Sequence, residues 1–173
     1  AGFGDPFARA RIVRGHIVTF GIEVTVTVDP AHVSYAFNNL LRALMANAGR
    51  VVTREQILEQ GKLAASAGLS LAIHAIGDRA NRVVLDGYEK LREFEKANGY
   101  KGLQHRIEHA QLLHPDDLPR LANLGIIGSM QPIHCTSDLF ISDRYWGKRA
   151  SGAYAFRTLL EHKVPFPINN HER

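Results

Sequence analysis

The chain holds a single cysteine, Cys135, so no internal disulfide can form, and a reducing, cytoplasmic setting is expected. It also lacks any apolar run approaching the roughly 20 residues that span a bilayer, so no membrane partner is expected. The first ten residues are Gly-rich and mixed rather than a charged start followed by an apolar core, and no secretory signal is read there. A further shortage is length. A complete (β/α)8 barrel takes roughly 250 residues, and this chain has 173. Charge of one sign is not concentrated either. The net charge of +4 comes from 21 basic and 17 acidic residues that are largely interleaved, with Arg9, Arg11 and Arg14 as the local exception. No aromatic–basic alternation of the kind used on single strands accompanies them, so no nucleic-acid partner is expected. What remains, 45% hydrophobic and 22% charged residues, is the profile of a globular domain with a core of its own.

The chain divides near Gly49, giving segments 1–49 and 50–173. In the first, residues 12–20 and 23–28 are rich in Val, Ile and Thr. The stretch 23–28 alternates with period two, as a half-buried strand does, and Gly21 marks a turn between the two. Asp29-Pro30 then reads as N-cap and first helical residue. Val33, Phe37, Leu40, Leu41 and Leu44 follow at helical spacing, ending at Gly49. This segment carries no recognisable chemistry.

The second segment alternates helix and strand. Thr53 with Gln56 forms a capping box, opening a helix that runs to about residue 67 and stops at Gly68. Residues 69–74 make a short apolar strand ending in His74. Asp78 is the expected N-cap of a long helix whose buried face is Ala80, Val83, Val84, Gly87, Tyr88, Leu91 and Phe94, stopped by Asn98-Gly99. A strand over 102–109 follows, then a short helix from Pro115, a strand over 126–130, a longer loop containing Trp146, a helix over 149–162 and a fourth strand over 164–168. Such alternation with short connections argues for about four parallel strands with crossover helices. In those folds the carboxyl ends of the strands carry the site. The polar residues at those ends are His74, His109 with Gln111, and Gln131.

His74 directly precedes a tight turn, where a neutral imidazole can serve as a ligand for zinc and similar metals; a histidine bonded within its own loop is the plainer reading. In the run 105–109, residues 105, 107 and 109 are expected on one strand face. His105 then lies roughly 7 Å below His109 and outside its ligand shell. Arg106 and Glu108 are expected to face the helices as a structural ion pair. Gln131 and His134 are placed to contact substrate or to organise the loop. No residue is assigned as catalytic.

Four stretches carry a family likeness: "LAIHAIGDRAN" (71–81), "HRIEHAQLL" (105–113), "GSMQPIHCTSD" (128–138) and "ASGAYAFRTLLEHKVPF" (150–166). Together they resemble amidohydrolase family 3, the YtcJ-like group, over roughly residues 50–168. Several ordered motifs are far more specific than any one. The resemblance implies a (β/α)8 barrel holding one or two divalent metals. It places His74 and His109 at the metal-ligand positions of the fifth and sixth strands. It implies zinc as the metal and hydrolysis of an amide or other non-peptide C–N bond in a small molecule.

The departures are as specific. The family carries a His-x-His pair on its first strand, and none occurs in this chain. Its last strand ends in Gly-Ser-Asp, where residues 167–173 read Pro-Ile-Asn-Asn-His-Glu-Arg. The expectation is therefore a partial (β/α)8 TIM barrel plus a divergent N-terminal strand–strand–helix segment. Two histidines are short of the three protein ligands usual in catalytic zinc sites. The metal is expected only where another segment or chain completes the shell, through self-association or pairing with the missing half. A non-catalytic remnant is the alternative.

Overall fold

The computed structural model describes residues 13–19, 22–28 and 53–165, the first two stretches as backbone only. Five strands form one sheet in the order β1-β2-β3-β4-β5. Strands β1 (Val13–Thr19) and β2 (Ile22–Val28) pair antiparallel from Val13↔Val28 to Thr19↔Ile22, the two N-terminal strands that the Val/Thr alternation predicts. β2 then runs antiparallel to β3 (Ala72–Ala75) over Ile22↔Ile73 and Glu23↔Ala72. From β3 onward the sheet is parallel. β3 pairs with β4 (Arg106–His109) and β4 with β5 (Ile127–Ser129).

Three parallel strands are thus described where about four are expected. At the expected fourth, the Gly128 N–H donates to the Pro165 carbonyl at 2.9 Å, laying the chain beside β5. Residues 166–168 lie outside the described part, as does the helix expected over 29–48. The paired segments are shorter than the apolar runs, because a strand lasts only as long as its neighbours do.

Helices cross between the parallel strands. α1 (Arg54–Ser66) opens with the predicted capping box. Thr53 Oγ1 accepts the Gln56 N–H, and Gln56 Oε1 accepts the Thr53 N–H at 2.9 Å. α2 (Asp78–Asn98) is capped at its start by Gly77, not by Asp78 as expected. Asp78 is instead the first helical residue, where its carboxylate meets the helix dipole and pairs with Arg149. α2 ends at Gly99 and α3 (Leu118–Leu124) at Gly125, both left-handed with φ of 74° and 61°, the conformation a helix C-cap needs.

The expected long loop contains two helices, α4 (Ile133–Ser137) and α5 (Leu139–Trp146). The single helix expected over 149–162 is broken. A 3-10 turn at Gly147–Gly152 gives way to α6 (Phe156–Glu161) across Tyr154, whose φ is 53°.

The core lies between the sheet and α1, α2 and α3. It is built from Ile57, Leu71, Ile73, Leu85, Tyr88, Leu91, Ile107, Leu121 and Ile126, all within 2% of full burial. α1 and α2 meet through two glycines. A Cβ on Gly87 would stand 2.6 Å from Ile57 Cγ2, and one on Gly61 2.7 Å from Leu91 Cδ2. Overpacking of that kind typically destabilises by about 1–3 kcal/mol. Behind this layer, Asp117, with 1% of its side chain exposed, accepts from Arg82 at 2.8 Å and Arg120 at 3.0 Å, tying α2 to the turn before α3.

Candidate metal centre

Alternation along β3 sends Ile73 and Ala75 into the helix-packed core and places His74 on the opposite face of the sheet. On β4, Ile107 joins the core, and His105 follows it to the helix side. There it stacks on Tyr88 of α2 with ring centroids 5.2 Å apart. Arg106 and Glu108 therefore lie on the other face, with His74, and not toward the helices as expected. They pair with each other, as expected.

Strict alternation would send His109 after Ile107, into the helix layer. The backbone prevents it. His109 has φ 73° and Ala110 φ 43°, values uncommon in residues with a side chain. The chain leaves extended geometry at that point, and the ring meets His74 instead. His74 Nδ1 and His109 Nε2 stand 2.8 Å apart, with ring centroids at 4.9 Å. Strain of this kind is worth about 1–3 kcal/mol and persists only where the surroundings over-determine it. Here the Ala110 N–H donates to the Ala75 carbonyl at 3.0 Å and the Leu112 N–H to Ile76 at 2.9 Å. Asn81, fully buried at the start of α2, adds its side-chain amide on the carbonyls of Gly77 and Leu112, both at 3.0 Å. The turn after β3 and the turn after β4 are thereby tied together.

Two more residues close the group. Gln131, 8% exposed, lies two residues beyond β5, whose last pair with β4 is Glu108↔Ser129, next to His109. His134, on α4, presents its ring edge-on to His109 at 5.3 Å between centroids. Its Nδ1 lies 3.2 Å from Asp138 Oδ2, to which Gln111 Nε2 also donates at 3.3 Å. The four residues singled out from the sequence, His74, His109, Gln131 and His134, are brought together. Asp138 was not tied to His134 in the sequence because its segment reads as a loop; on a helix, the i,i+4 spacing would have joined them. Tyr154 joins from further along, its N–H on the Gln111 carbonyl at 2.7 Å. Burial raises its phenol above the ordinary range.

Burial lowers the basicity of His109, and the neighbouring His74 and His134 lower it further, against the pull of Gln131 and Glu108. His109 is thus held neutral at neutral pH, the form that binds metal. Two imidazole nitrogens on one tetrahedral ion with bonds of 2.0–2.1 Å stand about 3.3 Å apart. The 2.8 Å approach of His74 Nδ1 and His109 Nε2 is close to that spacing. His109 Nδ1 and Gln131 Oε1 are both buried with no hydrogen-bond partner among the described residues. The donor set fits two positions of a divalent-metal shell. Among the described residues no group of three or more His, Cys, Asp or Glu is placed to hold an ion. A cavity of about 620 Å³ bounded by Asp78, Leu112, Arg149, Tyr154 and Phe156 lies alongside, and none of the four central residues lines it.

Two solved metal-dependent hydrolases are similar to this chain in fold and sequence. An uncharacterized metal-dependent hydrolase from Pyrococcus furiosus superposes with a TM-score of 0.57 at 31% identity, over 74% of this chain and 25% of that one. Another from Pyrococcus horikoshii OT3 does so with 0.57 at 34%, over 72% and 24%. The model of the amidohydrolase family matches residues 24–170, and the chain belongs to that family.

Among sequence relatives, Protein LONG AFTER FAR-RED 3 of Arabidopsis thaliana is 39% identical over 64% of this chain and 19% of its own length. Putative amidohydrolase YtcJ of Bacillus subtilis is 34% identical over 54% of this chain and 17% of its own. The N-substituted formamide deformylase of Arthrobacter pascens is 29% identical over 61% and 19%. The chain thus spans about a fifth of the length of these relatives. The family match begins within β2, ahead of the motifs at 71–166.

Proposed function

We propose that this chain supplies part of the metal centre of an amidohydrolase acting on a non-peptide C–N (amide) bond in a small molecule. His74 holds a divalent ion, zinc first among the candidates, through Nδ1, and His109 holds it through Nε2. The observation that carries this reading is the departure of His109 from strand alternation, which brings its Nε2 to His74 Nδ1. Family membership and the metal-dependent hydrolases among the structural relatives support it, and the deformylase relative points to amide chemistry.

A bound ion of this kind lowers the pKa of its water to about 7 and polarises a carbonyl. The chain's own residues supply the rest. The burial of His109 keeps its ring neutral and available. Asp138 holds His134 through Nδ1 and so turns the opposite edge of that ring toward the pair. Gln131 and His134 face the substrate side. Residues outside 53–165, or a second chain, complete the shell, which makes self-association or pairing with another barrel segment part of the proposal.

Elemental analysis of the purified chain, with its mass in solution measured on the same sample, tests this. Near-stoichiometric zinc or another divalent metal is expected, and His74→Ala and His109→Ala should each lower it by more than half. Unchanged stoichiometry in both variants would end the ligand assignment. No metal after incubation with zinc would favour the alternative, a folded remnant without turnover.

A further inference from the structure

Among the buried side-chain atoms without a hydrogen-bond partner are His109 Nδ1 and Gln131 Oε1, and they point to another role for Gln131. One is a ring nitrogen that can carry a proton, the other an acceptor, and the two residues follow directly on the last registered pair of β4 and β5, Glu108↔Ser129, one and two positions beyond it. Leaving a buried polar atom unpaired costs about 1–3 kcal/mol, so each is the natural partner of the other.

We propose that Gln131 is a positioning residue for His109, accepting its Nδ1–H and so fixing the tautomer whose Nε2 lone pair faces His74. This rests on the reading of His109 as a metal ligand. Local structure sets Gln131 up for the task. Met130 before it is buried at 1% exposure. Pro132 after it disfavours helical backbone at position 131. The Gln131 carbonyl accepts the His134 N–H at 3.1 Å, which holds the start of α4.

The consequence follows from the 2.8 Å contact between the two rings, which needs one N–H and one lone pair. With Nδ1 of His109 committed to Gln131, its Nε2 is the acceptor and the proton belongs to His74. Without Gln131, His109 can carry its proton on Nε2, on the atom that would bind the ion. A ligand histidine generally gives its other N–H to such an acceptor, and losing the acceptor typically weakens metal binding by about 10–100-fold. A neutral amide fixes the tautomer without adding a second charge to a crowded, buried group.

The test uses the full chain in two measurements. Nitrogen-15 NMR of the metal-free imidazoles should find His109 protonated at Nδ1. In Gln131→Leu that signal should move to Nε2–H or to a mixture, and in Gln131→Glu it should stay at Nδ1. Zinc titration against a chromophoric chelator should show binding weakened about tenfold or more in Gln131→Leu and retained in Gln131→Glu. An Nδ1–H that persists in Gln131→Leu, or zinc affinity unchanged in that variant, overturns the proposal. If Gln131→Leu folds poorly, loss of the Nδ1–H in Gln131→Glu overturns it alone. Failure of the unmodified chain to bind zinc would remove the ligand reading, while the tautomer measurement still decides whether Gln131 holds His109.

Discussion

His105, the residue just before β4, and His109, the last residue of β4, are four positions apart, and the molecule treats them in opposite ways. At the amino end, His105 is completely buried and both its nitrogens are engaged. Nδ1 accepts the Leu71 N–H at 2.9 Å, and Nε2 meets Glu95 Oε1 at 2.5 Å. Arg92 carries the network outward, bonding Glu95 at 2.7 Å and the carbonyls of Leu103 and Leu124 at 3.1 and 3.0 Å. Tyr88 covers the ring and donates to the Arg106 carbonyl at 2.8 Å. At the carboxyl end, His109 turns one nitrogen to a second imidazole on a strained backbone, and the other is left to the contact proposed with Gln131. Burial alone therefore does not tell the two histidines apart. What their nitrogens meet does.

The comparison breaks first if the amino end proves dispensable. His105→Ala leaves Glu95 buried beside an empty space and takes the acceptor from Leu71. Denaturant unfolding should show a loss of about 3 kcal/mol, with any zinc affinity of the folded chain unchanged. A loss under about 1 kcal/mol would mean that the two ends differ less than their geometry says. A smaller cut is Tyr88→Phe, which removes a hydroxyl whose acidity burial suppresses strongly and which serves the carbonyls of Leu71 and Arg106. The expected cost is about 1–2 kcal/mol, read as a shift in the unfolding midpoint.

The smallest effect is a pH dependence to which His105 contributes. Burial lowers its pKa below the ordinary 6.5, outweighing the opposing pull of Glu95. The unfolded chain then binds a proton that the folded chain refuses. This contribution to stability is full above about pH 6.5 and is lost as pH falls from there through the folded value. His109, also lowered, acts in the same direction. Denaturation midpoints should fall between pH 7 and pH 5, and His105→Gln should flatten that slope. A slope unaltered by this change would assign the titration elsewhere.

Much of this architecture is legible in the sequence where local chemistry decides it. Thr53 and Gln56 specify their capping box outright, and Gly99 and Gly125 stop their helices. The apolar face of α2 is right at Val84, Gly87, Tyr88 and Leu91. It misses Leu85, fully buried, and the polar Asn81 and Glu95, which are buried against hydrogen-bond partners, and it wrongly includes Ala80, which is exposed. Reading His105, Ile107 and His109 onto one face was correct for the first two. It failed for His109 because alternation assumes extended backbone, and a single positive φ is invisible to it. The helix pair α4 and α5 reads as a loop because Phe140, Ile141 and Tyr145 are exposed, so no buried stripe reveals its period. At the candidate metal centre the arrangement of the four side chains was not legible, since ring-to-ring distances depend on turns that Asn81, the last residue of the 71–81 motif, ties together through its side chain.

Position 109 makes two demands that no single amino acid meets best. Its backbone angle is one that glycine adopts freely, while the ligand role proposed for it beside His74 calls for an imidazole. As long as the centre is used, selection for chemistry outweighs selection for comfort and histidine stays. In a lineage where the centre falls out of use, that opposition vanishes, and drift toward glycine becomes the easy path. Glycine aligned with His109 in a descendant would therefore record a lost activity more plainly than a change at His74, where no such relief is on offer.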